Sequence, residues 1–181
     1  LYVGIKKIHY HDTIWQSQNT HHLNQTKLEI EAALAAPPNG SLFGSTYIRN
    51  PFSLRLAIWN TFSTKNNKFA NWITKNFGKQ PILISNVNPQ LRASIATNVL
   101  KNNGYFSGYV TSELHDTNNP KEQKVTYHVH TGQPSLIDTL QYTNFPPSID
   151  TIIQANTKQA QISHGTPFSA TTLDNERTRI T

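Results

Sequence analysis

Residues Asn88 to Gly132 read NPQLRASIATNVLKNNGYFSGYVTSELHDTNNPKEQKVTYHVHTG, and this stretch decides the fold. Leu91, Ile95, Val99 and Leu100 follow i, i+4, i+8 spacing, which predicts a helix with one buried stripe. Pro89 stands at a first helical position, where no N–H is needed, and Asn88 before it has the side chain of an N-cap. Asn102-Asn103-Gly104 stops the helix, since glycine accepts the left-handed conformation that closes a last turn. Tyr105 to Leu114 and Lys124 to His130 read as two strands joined by an Asn-rich turn over Asp116 to Glu122. In the second strand Val125, Tyr127 and Val129 alternate with Thr126, His128 and His130, so one face is buried and the other wet. The unit is a helix, a glycine stop and an antiparallel hairpin packed on the helix.

Upstream, Tyr2 to Tyr10 is a strand, with Ile8 and Tyr10 on one side and His9 and His11 on the other. A polar loop follows to about His22. Leu23 to Ala36 then reads as a helix, ended by Pro37-Pro38-Asn39-Gly40. Two short helices follow: Ser53 to Phe62, capped by Ser53, and a stripe of Phe69, Trp72, Ile73 and Phe77 closed by Gly78. Downstream the pattern begins again. Ile5-x-x-Ile8-x-Tyr10 recurs as Ile137-x-x-Leu140-x-Tyr142, each position displaced by 132. Ser148 to Asn156 stands where Leu23 to Ala36 stood, and Gly165-Thr166-Pro167-Phe168 opens another helix. The predicted class is α+β: tandem strand-helix-helix-strand-strand modules, each a three-stranded sheet packed on two helices. Residues 1–132 form the first, with an insertion at about 37–80, and 133–181 begin a second, incomplete one.

At 181 residues the chain has room for one domain or two small ones. Sixteen Lys and Arg against ten Asp and Glu give +6, which permits attraction to nucleic acid, anionic lipid or an acidic partner and selects none. No Lys/Arg block of the kind that binds nucleic acid is present, so no nucleic-acid partner is expected. The absence of cysteine excludes a disulfide scaffold, a thiol nucleophile and a Cys-ligated metal. No apolar run reaches the ~18 residues that a spanning helix needs. Leu1-Tyr2-Val3-Gly4 already resembles a strand, so any signal peptide is expected to have been removed upstream. The final Glu176 to Thr181 looks like a helix cut partway, so the parent protein is expected to continue.

The element order, the Asn102-Asn103-Gly104-Tyr105-Phe106 turn and the Thr131-Gly132-Gln133-Pro134 exit resemble the polypeptide-transport-associated (POTRA) domain. The stretch from Gly165 to Arg177 is similar to the entry to that domain's second helix. The insertion with Arg55-Leu56-Ala57-Ile58-Trp59-Asn60 is similar to a version in Bacteroidetes-type members of the BamA/TamA outer-membrane assembly family. The resemblance implies a non-enzymatic arm on the periplasmic face of the bacterial outer membrane, preceding a C-terminal β-barrel of the same chain. Its partners would be unfolded outer-membrane polypeptides and envelope accessory proteins. It also implies that the first hairpin strand lies at a sheet edge, where a guest strand can add by β-augmentation. The residues so assigned are Tyr105, Phe106, Ser107, Gly108, Tyr109, Val110 and Thr111. Gly104, Ser107 and Gly108 would leave room for a guest backbone; alternatively, Gly108 marks a bulge that closes the edge. The alternative function is a scaffold that docks a fixed envelope partner or lipoprotein through the insertion, at Trp59 and Trp72.

Two constellations stand beside this reading. His9 and His11 on one strand and His128 and His130 on another could share a face and bind zinc or nickel if those strands pair. The alternation argues for a wet face instead, with no carboxylate evident as a supporting partner, so no metal and no cofactor is expected. His21-His22 is placed in a loop. Glu113, Asp116 and Glu122 gather at the hairpin as solvating acids, and no catalytic motif appears, so no enzyme is expected. In the insertion Trp59, Phe62, Phe69, Trp72 and Phe77 lie among Arg49, Arg55, Lys65, Lys68, Lys75 and Lys79. Such stripes form small cores or lie on a partner or a membrane surface.

Overall fold

The computed structural model describes residues 1–12, 21–39, 41, 45–46, 54–143 and 146–180, the side chains of Asp150 and Gln154 excepted. The predicted loop at 13–20, Gly40, Arg49 and the cap Ser53 lie outside the described residues. β1 (Tyr2–Tyr10) leads to α1 (His21–Leu34), then to two short helices of the insertion, α2 (Leu54–Phe62) and α3 (Lys68–Phe77). A single turn, α4 (Ile84–Val87), precedes α5 (Pro89–Asn102) and the strands β2 (Tyr109–Asp116) and β3 (Gln123–His130). The strands form one mixed sheet in the order β1-β3-β2, with β1 parallel and β2 antiparallel to β3. The chain is therefore α+β, and β1 and β2 are the two edges of its sheet.

The core lies between one face of the sheet and the helices α1 and α5. Tyr2, Ile5, Val110, Val125, Tyr127 and Val129 face Leu23, Ile30 and Leu34 of α1 and Ala93, Ala96 and Leu100 of α5. Each large apolar side chain buried there contributes on the order of 1.5–3 kcal/mol. Arg92 of α5 ties the helices together, donating to the carbonyls of Ala33 and Ala35 at the end of α1 and of Val87 at the end of α4. His21-His22 opens α1 rather than lying in a loop. The His22 ring donates from Nε2 to the Asn103 carbonyl at 3.0 Å, linking the start of one helix to the end of the other.

α5 begins and ends as predicted. Asn88 is left-handed (φ 47°) and its side chain accepts the Leu91 N–H, while Pro89 is the first helical residue. Gly104 (φ 86°) is the left-handed stop, after which the Tyr105 N–H reaches back to the Leu100 carbonyl at 2.9 Å. The buried stripe differs from the one expected. Leu100 is buried and Val99 packs against the core as expected, but Leu91 and Ile95 are 55% and 45% exposed, and Ala93 and Ala96 are buried in their place. Spacing of i, i+3, i+7 describes this stripe equally well. Alanine wins it because α1 packs directly on α5, and a small residue lets two backbones approach.

The hairpin's first strand is also shorter than predicted. Tyr105 to Gly108 form a turn, closed by a 2.9 Å bond from the Gly108 N–H to the Tyr105 carbonyl, and β2 starts at Tyr109. The Tyr105 side chain is buried against the core instead of lining an edge.

In the downstream segment, α6 (Pro147–Ala155) and α7 (Ala170–Ile180) occupy the predicted helical positions. The predicted strand from Ile137 to Tyr142 is absent among the described residues: only an isolated bridge joins Leu136 to Pro167. A strand needs a ladder of partners, and among the described residues pairing stops at Ile137, which bonds with Gly165 and Thr166. The segment meets the first unit at its glycine stop. The Ser135 N–H donates to Gly104 O and the Phe168 N–H to Ser135 O, both at 2.9 Å, and the Phe106 and Phe168 rings touch at 5.0 Å. Glu176 is buried in this segment; it accepts from the Tyr142 hydroxyl at 2.7 Å, the Gln161 N–H at 3.0 Å and the Arg179 guanidinium. Those donors, the Arg179 side chain above all, hold its carboxyl down at about 2.

Candidate functional site

Three surfaces carry the residues singled out by sequence. The first is the β2 edge. Of the seven residues assigned to it, Tyr105, Phe106, Ser107 and Gly108 precede the strand, and only Tyr109, Val110 and Thr111 belong to β2. Gly108 is not open space for a guest. A Cβ there would sit 2.9 Å from the Tyr105 carbonyl and 3.1 Å from the Leu100 side chain, so its glycine serves close packing of the turn. At Val110 the edge is already occupied, because the Val110 N–H donates to Thr97 Oγ1 of α5 at 2.9 Å. In an antiparallel ladder alternate residues point the same way, so Ser112 and Leu114 direct their backbone groups to that same outer side, beyond Thr97. Leu114 is 42% exposed. The open margin of β2 is thus its second half, Ser112 to Asp116.

β1 is the opposite edge, and its beginning is covered too. The Tyr2 N–H donates to Ile82 O, while Asn39 donates from backbone and side chain to Tyr2 O. Gly4 (φ 110°) packs so close that an added Cβ would lie 2.9 Å from the Thr46 carbonyl.

The second surface is the helix-free face of the sheet, where strand pairing does what the sequence left conditional. The parallel register sets His9 beside His128, and β1 extends by a 3.1 Å bond from the His11 N–H to Val129 O. His9 and His11 have ring centroids 4.4 Å apart, and His11 stacks on His130 at 4.3 Å. His11 Nε2 lies 2.8 Å from His128 Nδ1. One nitrogen from each of His9, His11 and His128 falls within 4.8 Å of the others. The Tyr109 ring stacks on His130 at 4.6 Å and so closes one end of the cluster. Partial loss of water around His11, then repulsion by His130, His9 and His128, lowers its pKa, against a smaller opposite pull from Asp12.

The expectation that no carboxylate supports this face is corrected. Glu113 of β2 places Oε2 3.2 Å from His128 Nε2 and 3.6 Å from His115 Nε2. The signal lay in the hairpin register. With Thr111 opposite His128, Glu113 is the diagonal neighbour on the same face.

The third surface is the insertion. α2 and α3 pack on each other, with Ala70 buried and the Lys79 N–H returning to Arg55 O at 3.0 Å. Trp59 is half-buried, whereas Phe69, Trp72 and Phe77 of α3 are exposed, Trp72 meeting Phe77 edge-on at 5.7 Å. The aromatic residues of α3 are therefore not a core. Lys65 lies over the Phe62 ring at 5.2 Å, and Lys68, Lys75 and Lys79 are exposed around the aromatics. Among the described residues no helix is long and apolar enough to cross a membrane.

Compared with known proteins, the chain matches no family model, no curated protein and no solved structure.

Proposed function

We propose that this chain is a docking arm of the POTRA kind, one full module and the start of a second, which binds extended polypeptide by main-chain pairing and performs no chemistry. The observation that carries the reading is the strand order β1-β3-β2, which leaves the first strand of the hairpin at an edge. Two helices back the same sheet, so a guest strand would extend a rigid template. Because Thr97 takes the Val110 N–H, the pairing margin is assigned to Ser112 through Asp116. On this reading the arm works at the periplasmic face of the outer membrane, its clients being unfolded outer-membrane polypeptides passed toward a β-barrel. A photo-crosslinking residue at Ser112 or Leu114 should capture an unfolded outer-membrane polypeptide, and one at Lys101 on the helical side should not. Equal capture at all three, or none at Ser112 and Leu114, would reject the reading.

A second reading, a scaffold docking a fixed envelope partner, is favoured by the exposed aromatics of α3. Trp72→Ala should abolish a stoichiometric complex while leaving the fold intact, whereas client capture at Ser112 should survive it. Loss of folding in that variant would make Trp72 structural and remove this reading.

A further inference from the structure

We propose that His9, His11 and His128 form a binding site for a divalent first-row transition ion of the zinc class, on the sheet face opposite the helices. The proposal is independent of the docking role and assigns chemistry to a surface that role does not use. Three imidazoles offer one nitrogen each, all within 4.8 Å of one another, and no carboxylate or carbonyl belongs to that set. An all-imidazole donor set suits zinc, copper or nickel and disfavours magnesium and calcium, which take oxygen ligands. Three protein ligands leave a fourth position to water in a tetrahedral site.

The surroundings are those that orient metal-binding histidines. Glu113 accepts the Nε2–H of His128 at 3.2 Å, which leaves Nδ1 of His128 carrying its lone pair toward His11. His11 Nε2, 2.8 Å away, is then the donor between the two rings. Two nitrogens on one tetrahedral zinc at ~2.0–2.1 Å stand roughly 3.3 Å apart, so His11 and His128 need part by only about half an ångström, while the His9 nitrogen comes in from within 4.8 Å. The proton on His11 Nε2 moves to its own Nδ1 as the ion takes its place. His130, stacked parallel on His11 at 4.3 Å, limits how far that ring can turn. An ion here would join β1 to β3 across the parallel pairing, clamping the C-terminal end of an edge strand.

The test is a zinc titration by calorimetry of the full chain carrying no affinity tag, with cobalt(II) absorption as a second readout of coordination. Wild type should bind one ion per chain and show the intense visible bands of tetrahedral cobalt, with magnesium unable to compete. His9→Ala and His128→Gln should each weaken binding by at least ten-fold, and Glu113→Ala by roughly 10–100-fold. His164→Ala, outside the ligand set, should bind as wild type. All three positions lie on the solvent side, and circular dichroism would verify that the variants fold. The absence of stoichiometric binding by wild type, or binding that persists in His9→Ala and His128→Gln, would overturn the proposal.

Discussion

The hydroxyl of Thr97 on α5 accepts the backbone N–H of Val110 on β2 at 2.9 Å and donates its own hydrogen to the Ala93 carbonyl at 2.9 Å. One side chain thus bonds back to the preceding turn of its own helix and seals the first outward amide of an edge strand, where a guest would otherwise pair. Exposed edges invite association, and covering part of one restricts where it can occur.

Replacing this hydroxyl with a methyl, in Thr97→Val, keeps the shape and removes the acceptor. Stability should fall by about 1 kcal/mol, the net worth of one such bond. The urea midpoint should drop at unchanged slope, and the Val110 amide should exchange its hydrogen faster. Wild-type exchange at Val110 in the variant would mean that Thr97 does not guard the edge.

Asn39 carries more than a surface loop asparagine usually does. It is buried, donates to Tyr2 O and Ile82 O, and accepts the Ile82 N–H at 2.8 Å. Asn39→Ala leaves these backbone groups without their partner, so a loss of about 2–3 kcal/mol is expected in denaturant unfolding. Asn39→Asp should also destabilise, because a carboxylate cannot donate to the two carbonyls.

Tyr127 offers a change in the opposite direction. Its ring sits at the centre of the core, and its hydroxyl has no hydrogen-bond partner among the described residues. Burial pushes the phenol up to about 12. A buried hydroxyl without a partner is unfavourable by on the order of 1–3 kcal/mol. Tyr127→Phe should therefore be neutral or raise the thermal midpoint, and a clear fall would reveal a bond to that oxygen.

Glu176 makes the downstream segment acid-sensitive. Its pKa falls from 4.5 to about 2 on folding, so the carboxylate stabilises the folded segment above pH 4.5. That contribution is lost progressively as pH falls from 4.5 toward 2. Amide protection in α7, taken relative to the unfolded chain at each pH, should fall across this window in wild type. Glu176→Gln should show lower protection already at pH 7 and little change through the same window.

The α5 stripe is tested by a pair of substitutions. Ala96→Leu places three extra carbons at the fully buried crossing with α1 and should cost about 1–3 kcal/mol. Leu91→Ala, on the exposed side, should stay within about 0.5 kcal/mol. The reverse ranking would restore the Leu91–Ile95 stripe.

Much of the fold was legible because it depends on local chemistry. Asn88, Pro89 and Gly104 set the ends of α5 through capping and backbone conformation, which neighbours in sequence determine. The alternation along β3 likewise follows from the pleat, and Val125, Tyr127 and Val129 are all buried, although Thr126 on the face expected to be wet is buried as well. The rotation of α5 was not legible, since apolar stripes on different sides of the helix satisfy the same periodicity. Only the approach of α1 chooses Ala93 and Ala96 over Leu91 and Ile95. The start of β2 failed for a related reason: Tyr105 and Phe106 have strand-forming side chains, yet the Leu100 carbonyl captures the Tyr105 N–H and bends the chain into a turn.

Sequence alone determined that this chain would build helix ends, a hairpin and a strand with two-faced character, because those properties are fixed within a few residues. It also supplied every histidine of the candidate site. Which of them meet was decided by tertiary structure. The parallel pairing of β1 with β3 sets His9 and His11 against His128, and the hairpin register adds Glu113. Residues more than a hundred positions apart become neighbours only when a crossover closes, and no local pattern in the chain encodes the register in which it does so.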